Sequence, residues 1–103
     1  MAESKVPYNG VTLNGKRIQY VEKIISLPAN NQTSIDFSSE LGGKTIDGIL
    51  SFKIGSYTLP YCTNNAAGTI ITWIINSIGS VVQIRNNTTA WTNYLVQAVF
   101  ITD

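Results

Sequence analysis

The stretch Thr69–Ile78, TIITWIINSI, puts apolar side chains on both faces of an extended strand. Ile71, Trp73, Ile75 and Ser77 share one face, and Ile70, Thr72, Ile74, Asn76 and Ile78 share the other. The closing stretch behaves in the same way. Tyr94, Val96, Ala98 and Phe100 alternate with Leu95, Val99 and Ile101, and only Gln97 breaks the second face. A sheet with one face in water alternates more cleanly than this. Something therefore covers the second face: a loop or the N-terminal arm, or other copies of the chain. Exposed apolar area on the order of several hundred Å² marks an interface, which favours self-association. A cyclic oligomer, a trimer above all, is the expected form, with these strands near its axis. Ile71, Trp73, Ile75, Leu95, Val99 and Ile101 are the candidate interface residues.

The rest of the chain divides into short strands separated by turn signals. Val6–Gly15 holds Pro7, Asn9-Gly10 and Asn14-Gly15. Asn-Gly tolerates positive φ at both positions, so residues 1–15 predict a hairpin or an extended arm. Residues 16–103 form the domain proper. Ile18, Tyr20 and Ile24 alternate with Gln19 and Lys23, which predicts a strand of about eight residues ended by Pro28. A short strand is expected around Thr33–Phe37, followed by a break at Gly42-Gly43. Period two over Thr45–Ile54 puts Ile46, Gly48, Leu50, Phe52 and Ile54 on one face, opposite Asp47, Ile49, Ser51 and Lys53. Gly55-Ser56 turns the chain into a strand over Tyr57–Cys62, and Pro60 pushes that strand to a sheet edge. Thr63–Gly68 reads as a loop, Gly79-Ser80 as a turn, Val81–Arg85 as a strand, and Asn86–Asn93 as a second loop. Ile70, Ile71, Ile74, Ile75 and Ile78 also fit a helical stripe, but the density of β-branched residues favours a strand. The sum is about seven strands and no helix: an antiparallel β-sandwich, jelly-roll-like.

Composition narrows the function. The chain of 103 residues suffices for one domain, and its formal charge is +1 with no basic block. That argues against an electrostatically dominated partner such as duplex DNA or an anionic membrane. Asn, Gln, Ser and Thr number 34, so neutral polar groups supply the solubility. Such a surface suits hydrogen bonding to sugars. The single Cys62 permits no intrachain disulfide. Met1–Lys5 is short and polar with no apolar run behind it, so no signal peptide is expected. No stretch reaches the roughly 20 apolar residues of a membrane span. The three Asn-X-Thr triplets at Asn31, Asn86 and Asn87 read as accidents of an Asn/Thr-rich chain.

Catalytic constellations are not evident. There is no histidine, which removes the commonest general base and metal ligand. Cys62 reads as a small buried hydrophobe. Glu22, Asp36, Glu40 and Asp47 sit among polar or turn residues and read as solvated, so no enzyme, cofactor or metal is expected. Aromatic residues remain. Trp73 belongs to the core or to the interface. Trp91 either caps one end of the core or forms a sugar-stacking platform, with Asn86, Asn87, Thr92 and Asn93 as hydrogen-bond partners. Tyr57 and Tyr61 with Asn64 and Asn65 form a second such cluster.

The closing run VVQIRNNTTAWTNYLVQAVFITD resembles the terminal strands of bacteriophage tail-fibre and receptor-binding modules. In those modules an aromatic residue precedes an alternating strand that ends the chain, and here Trp91 and Tyr94 occupy those places. The resemblance covers Lys16–Asp103. It implies a homotrimeric virion protein that attaches the particle to a host-surface glycan, with its inner sheets packed around the threefold axis. A monomeric carbohydrate-binding module or lectin is the alternative.

Overall fold

A computed structural model describes residues 12–13, 15–63 and 67–103. The described chain is all-β. Its strands are β1 (Thr12–Leu13), β2 (Lys16–Leu27), β3 (Asn31–Asp36), β4 (Ile46–Ile54), β5 (Tyr57–Leu59), β6 (Tyr61–Thr63), β7 (Ile70–Ile78), β8 (Val81–Asn86) and β9 (Trp91–Thr102). Eight of them run three residues or more, one beyond the expected count. The difference lies at Pro60, which follows a cis peptide bond from Leu59. Tyr57–Cys62 is not one strand, because the chain leaves one sheet at Leu59 and enters the other at Tyr61. Both pieces are edge strands, as the proline requires.

All pairings are antiparallel. One sheet has the order β1-β2-β9-β4-β5 and the other the order β3-β8-β7-β6. The nested pairs β2 with β9 and β3 with β8 carry the jelly-roll character, while β4 with β5 and β6 with β7 are local hairpins. β1 folds back on β2, pairing Thr12 with Arg17 and Leu13 with Lys16, and Gly15 turns at a φ of 78°. Residues 1–11 and 14 of the predicted arm lie outside the described residues, as do Asn64 and Asn65.

The two sheets enclose one core. β9 supplies Val96, Ala98 and Phe100, β4 supplies Phe52 and Ile54, and β8 supplies Val82 and Ile84, all with no exposed surface. Phe37 follows β3 and packs edge-on against Phe100 and Phe52, with centroids at 5.1 and 6.1 Å. Each buried side chain of this size contributes about 1.5–3 kcal/mol. The edge-to-face pairs add about 0.5–1.5 kcal/mol. Lys23 of β2 also points inward. Its ammonium lies over the Phe37 ring, 5.5 Å from the centroid, pairs with Glu40 at 3.2 Å and donates to the Asp36 carbonyl.

The faces of β4 differ from strict alternation. Register shifts between Ile46 and Gly48 and between Ile49 and Ser51 insert two bulges. Each bulge resets which face follows. Ile46, Ile49, Phe52 and Ile54 therefore pair with the inward row Thr102, Phe100, Ala98 and Val96, whereas Gly48 pairs with outward Ile101. Leu50, grouped by period two on the face of Phe52 and Ile54, is 53% exposed.

Candidate functional site

Trp91 is the cap and not the platform. It opens β9 opposite Leu27 instead of lying on a loop, and it is 4% exposed. Tyr57 and Tyr94 stack on it, with centroids at 5.3 and 5.4 Å. Tyr94 fits beneath the β4–β5 turn because Gly55 has no side chain: a Cβ there would meet the Tyr94 ring at 3.3 Å, and its φ is 60°. The indole has no face left for a sugar.

Asn86 is likewise removed from the candidate site. It is fully buried. Its Nδ2 donates to the Pro28 and Thr89 carbonyls at 3.0 and 3.1 Å, and its Oδ1 accepts from the Thr88 amide and from Thr72 Oγ1. It locks two loops together. Asn87, Thr92 and Asn93 are exposed at the same end of the sandwich. Asn93 takes a left-handed φ of 56°, and its amide donates to Ser26 Oγ. Tyr57 is half-buried against Trp91, whereas Tyr61 stands 61% exposed. The predicted clusters are thus split between packing and surface.

The candidate interface residues do not form one patch. Cross-strand register puts Leu95, Val99 and Ile101 on the outer face of the five-stranded sheet, opposite Ile24, Tyr20 and Ile18 of β2. Ile71, Trp73 and Ile75 lie on the outer face of the four-stranded sheet, on the far side of the core. A bulge between Ile74 and Asn76 turns Ile75 and Asn76 outward together, so Ile74 and Ser77 face in.

The two outer faces differ chemically. On the five-stranded sheet, Tyr20, Glu22 and Gln97 bond one another, and exposed Lys53 stands opposite Gln97 at the end of their row. Tyr20 donates to Glu22 at 2.5 Å, and Gln97 Nε2 donates to Tyr20 Oη and Glu22 at 2.9 and 3.3 Å. The bond to Glu22 raises the Tyr20 pKa above its usual value. Lys16 pairs with Asp47 at 2.8 Å on the same sheet.

On the four-stranded sheet, one row crosses all four strands: Tyr61 of β6 opposite Trp73 of β7, Trp73 opposite Arg85 of β8, and Arg85 opposite Gln32 of β3. Arg85 Nε donates to Asn87 Oδ1 at 2.6 Å. Among the described residues, no partner engages the Arg85 Nη groups, the Trp73 indole N–H or the Tyr61 hydroxyl. The period-two run Val82, Ile84 and Asn86 against Gln83 and Arg85 was the signal for an outward Arg85. Only the register with β7 brings it to Trp73.

Cys62 is buried. Burial pushes its thiol pKa up, and a hydrogen bond with Thr72 opposes that shift. Among the described residues, no group of three metal-ligating side chains converges. Glu40 and Asp47 sit in ion pairs and Glu22 in the polar row, so the carboxylates expected to be solvated are mostly engaged. No protein-family model, curated protein or solved structure matches the chain.

Proposed function

We propose that this chain is a non-enzymatic module of the bacteriophage tail-fibre kind, a virion component that works as a homotrimer and attaches the particle to a host-surface glycan. The outer face of the five-stranded sheet carries the reading. Ile24 and Leu95 are 66% and 40% exposed there, beside half-buried Ile18, Val99 and Ile101. The polar groups among them already bond one another. Burying the β2–β9 part of this face against another copy removes apolar surface from water and leaves Tyr20, Glu22 and Gln97 satisfied by one another.

One face supports the threefold reading better than two, because contact surfaces on opposite sides of a subunit propagate an open stack, whereas a ring needs a rotation that closes. The five-stranded face suits burial. The four-stranded face, with its unengaged polar ends, suits a polar ligand, and the monomeric carbohydrate-binding reading rests on that face alone.

Light scattering behind a sizing column tests the assembly. A mass near three times 11.2 kDa is expected, and Val99→Arg should reduce it to one chain. A single-chain mass for the unaltered protein would sink the trimer.

A further inference from the structure

We propose that the row Tyr61–Trp73–Arg85 on the outer face of the four-stranded sheet binds a carboxylate-bearing saccharide. The inference rests on the attachment half of the reading above and not on its oligomeric half.

Register alone aligns the three side chains, and neighbouring strands lie about 4.8 Å apart. The row from β6 to β8 is therefore about 10 Å long. Two aromatic rings occupy one end and a guanidinium the other. The C–H face of a sugar ring packs on aromatic surface, because its hydrogens meet the negative face of the π system. A carboxylate on that sugar then meets the Arg85 Nη groups, which present a planar fork suited to two parallel hydrogen bonds.

Three observations favour this occupant over a second copy of the chain. First, the Tyr61 hydroxyl, the Trp73 indole N–H and the Arg85 Nη groups all end on this surface without a described partner, whereas at the centre of the opposite face Tyr20, Glu22 and Gln97 bond one another. An apolar partner would leave those donors buried and unsatisfied, which weakens such a contact. Second, Arg85 faces no carboxylate. Asp36 lies on the same sheet opposite Val81, at the other end of β3 from the row, and its Oδ1 accepts the Ser38 amide. The cation is therefore available to an acidic ligand. Third, the Asn87 side chain takes up Arg85 Nε at 2.6 Å. That bond holds the guanidinium in place while its outer edge stays open.

The test is a titration of the whole protein with 3′-sialyllactose and with a galacturonic acid tetramer, using lactose as the neutral control and reading tryptophan emission. Trp91 is sealed between two tyrosines, so a change on binding reports Trp73. Saturable binding of the acidic saccharides, tighter than that of lactose, is expected. Arg85→Gln should weaken the acidic saccharides about tenfold and leave lactose unchanged. Tyr61→Ala should weaken all three. Both side chains lie at the surface, so thermal melting of each variant should match the parent and exclude unfolding. Saccharide binding that ignores Arg85→Gln and Tyr61→Ala would overturn this site while sustaining attachment. No binding of any saccharide would overturn both. Trp73 shielded from acrylamide in the parent but quenched in a monomeric Val99→Arg variant would show this face covered by another copy, and would also overturn the site. A single-chain mass sinks only the trimer.

Discussion

Thr72 and Asn86 face each other across β7 and β8 inside the sandwich, with Thr72 Oγ1 donating to Asn86 Oδ1 at 3.2 Å. Neither side chain is exposed. Two polar residues are tolerated in the core because Asn86 uses both ends of its amide, on Thr72, on Thr88 and on the Pro28 and Thr89 carbonyls. Asn86→Ala leaves those groups without it and opens a void. A loss of about 2–4 kcal/mol is expected, read from the urea midpoint at unchanged slope. A loss below about 0.5 kcal/mol would show that the amide does not tie the loops together.

Trp91→Ala removes the centre of a three-ring stack. Large aromatic-to-alanine changes in a core cost about 3–5 kcal/mol, and two stacked partners place this one at the upper end. Trp91→Phe should retain most of the stability. Equilibrium unfolding of the two variants distinguishes a core cap from a surface ring, since truncating a surface ring should cost within about 0.5 kcal/mol.

Acid should weaken the fold partly through Asp36. The Ser38 amide bonded to its Oδ1, and the Ser38 side chain, hold the Asp36 carboxyl below its ordinary 3.8. The folded state thus binds this proton less readily than the unfolded state. The stabilisation is complete above the unfolded pKa and is lost as pH falls through the folded one. Melting temperatures from about pH 6 to about pH 2.5 should fall less steeply for Asp36→Asn than for the parent. Parallel curves would remove Asp36 from the acid response.

Cys62 should stay silent toward thiol reagents in the folded protein. Burial and a raised thiol pKa both suppress the thiolate that reacts. A disulfide reagent at mildly alkaline pH should label it only after urea unfolds the chain. Rapid labelling of the native protein would contradict the placement of β6 against β7.

Much of the architecture is legible in the residue pattern because alternation is a local property. Tyr94–Ile101 shows its two faces in sequence, and the structure keeps them. Pro60 signals an edge, and the chain changes sheets there. The errors arise where a partner strand decides. β4 reads as a regular strand, but two bulges against β9 shift Ile49 inward and Leu50 outward, and no feature of β4 alone marks them. Trp91 stands between polar residues and leaves cap and platform both open in sequence, because the two tyrosines that enclose it lie 34 positions earlier and 3 later, and only one of them is near in sequence. Asn86 looks like a loop amide until Pro28, 58 positions away, supplies its acceptor. The row at Trp73 escaped notice for the same reason, since Tyr61 and Arg85 reach it only through register.

The pairing of Arg17 with Thr102 sets the start of one long strand beside the finish of the other. In graph terms, the path from β2 to β9 is nearly a closed circuit whose break lies at one end of the sandwich. Bridging that break and opening the circuit at the Gly79-Ser80 turn would preserve the pairings among β2 to β9 except the few contacts of that turn. Circular permutation succeeds where the joined ends lie close and the new ends open at an exposed loop tip, so the order in which the chain visits its strands is separable from the arrangement they reach.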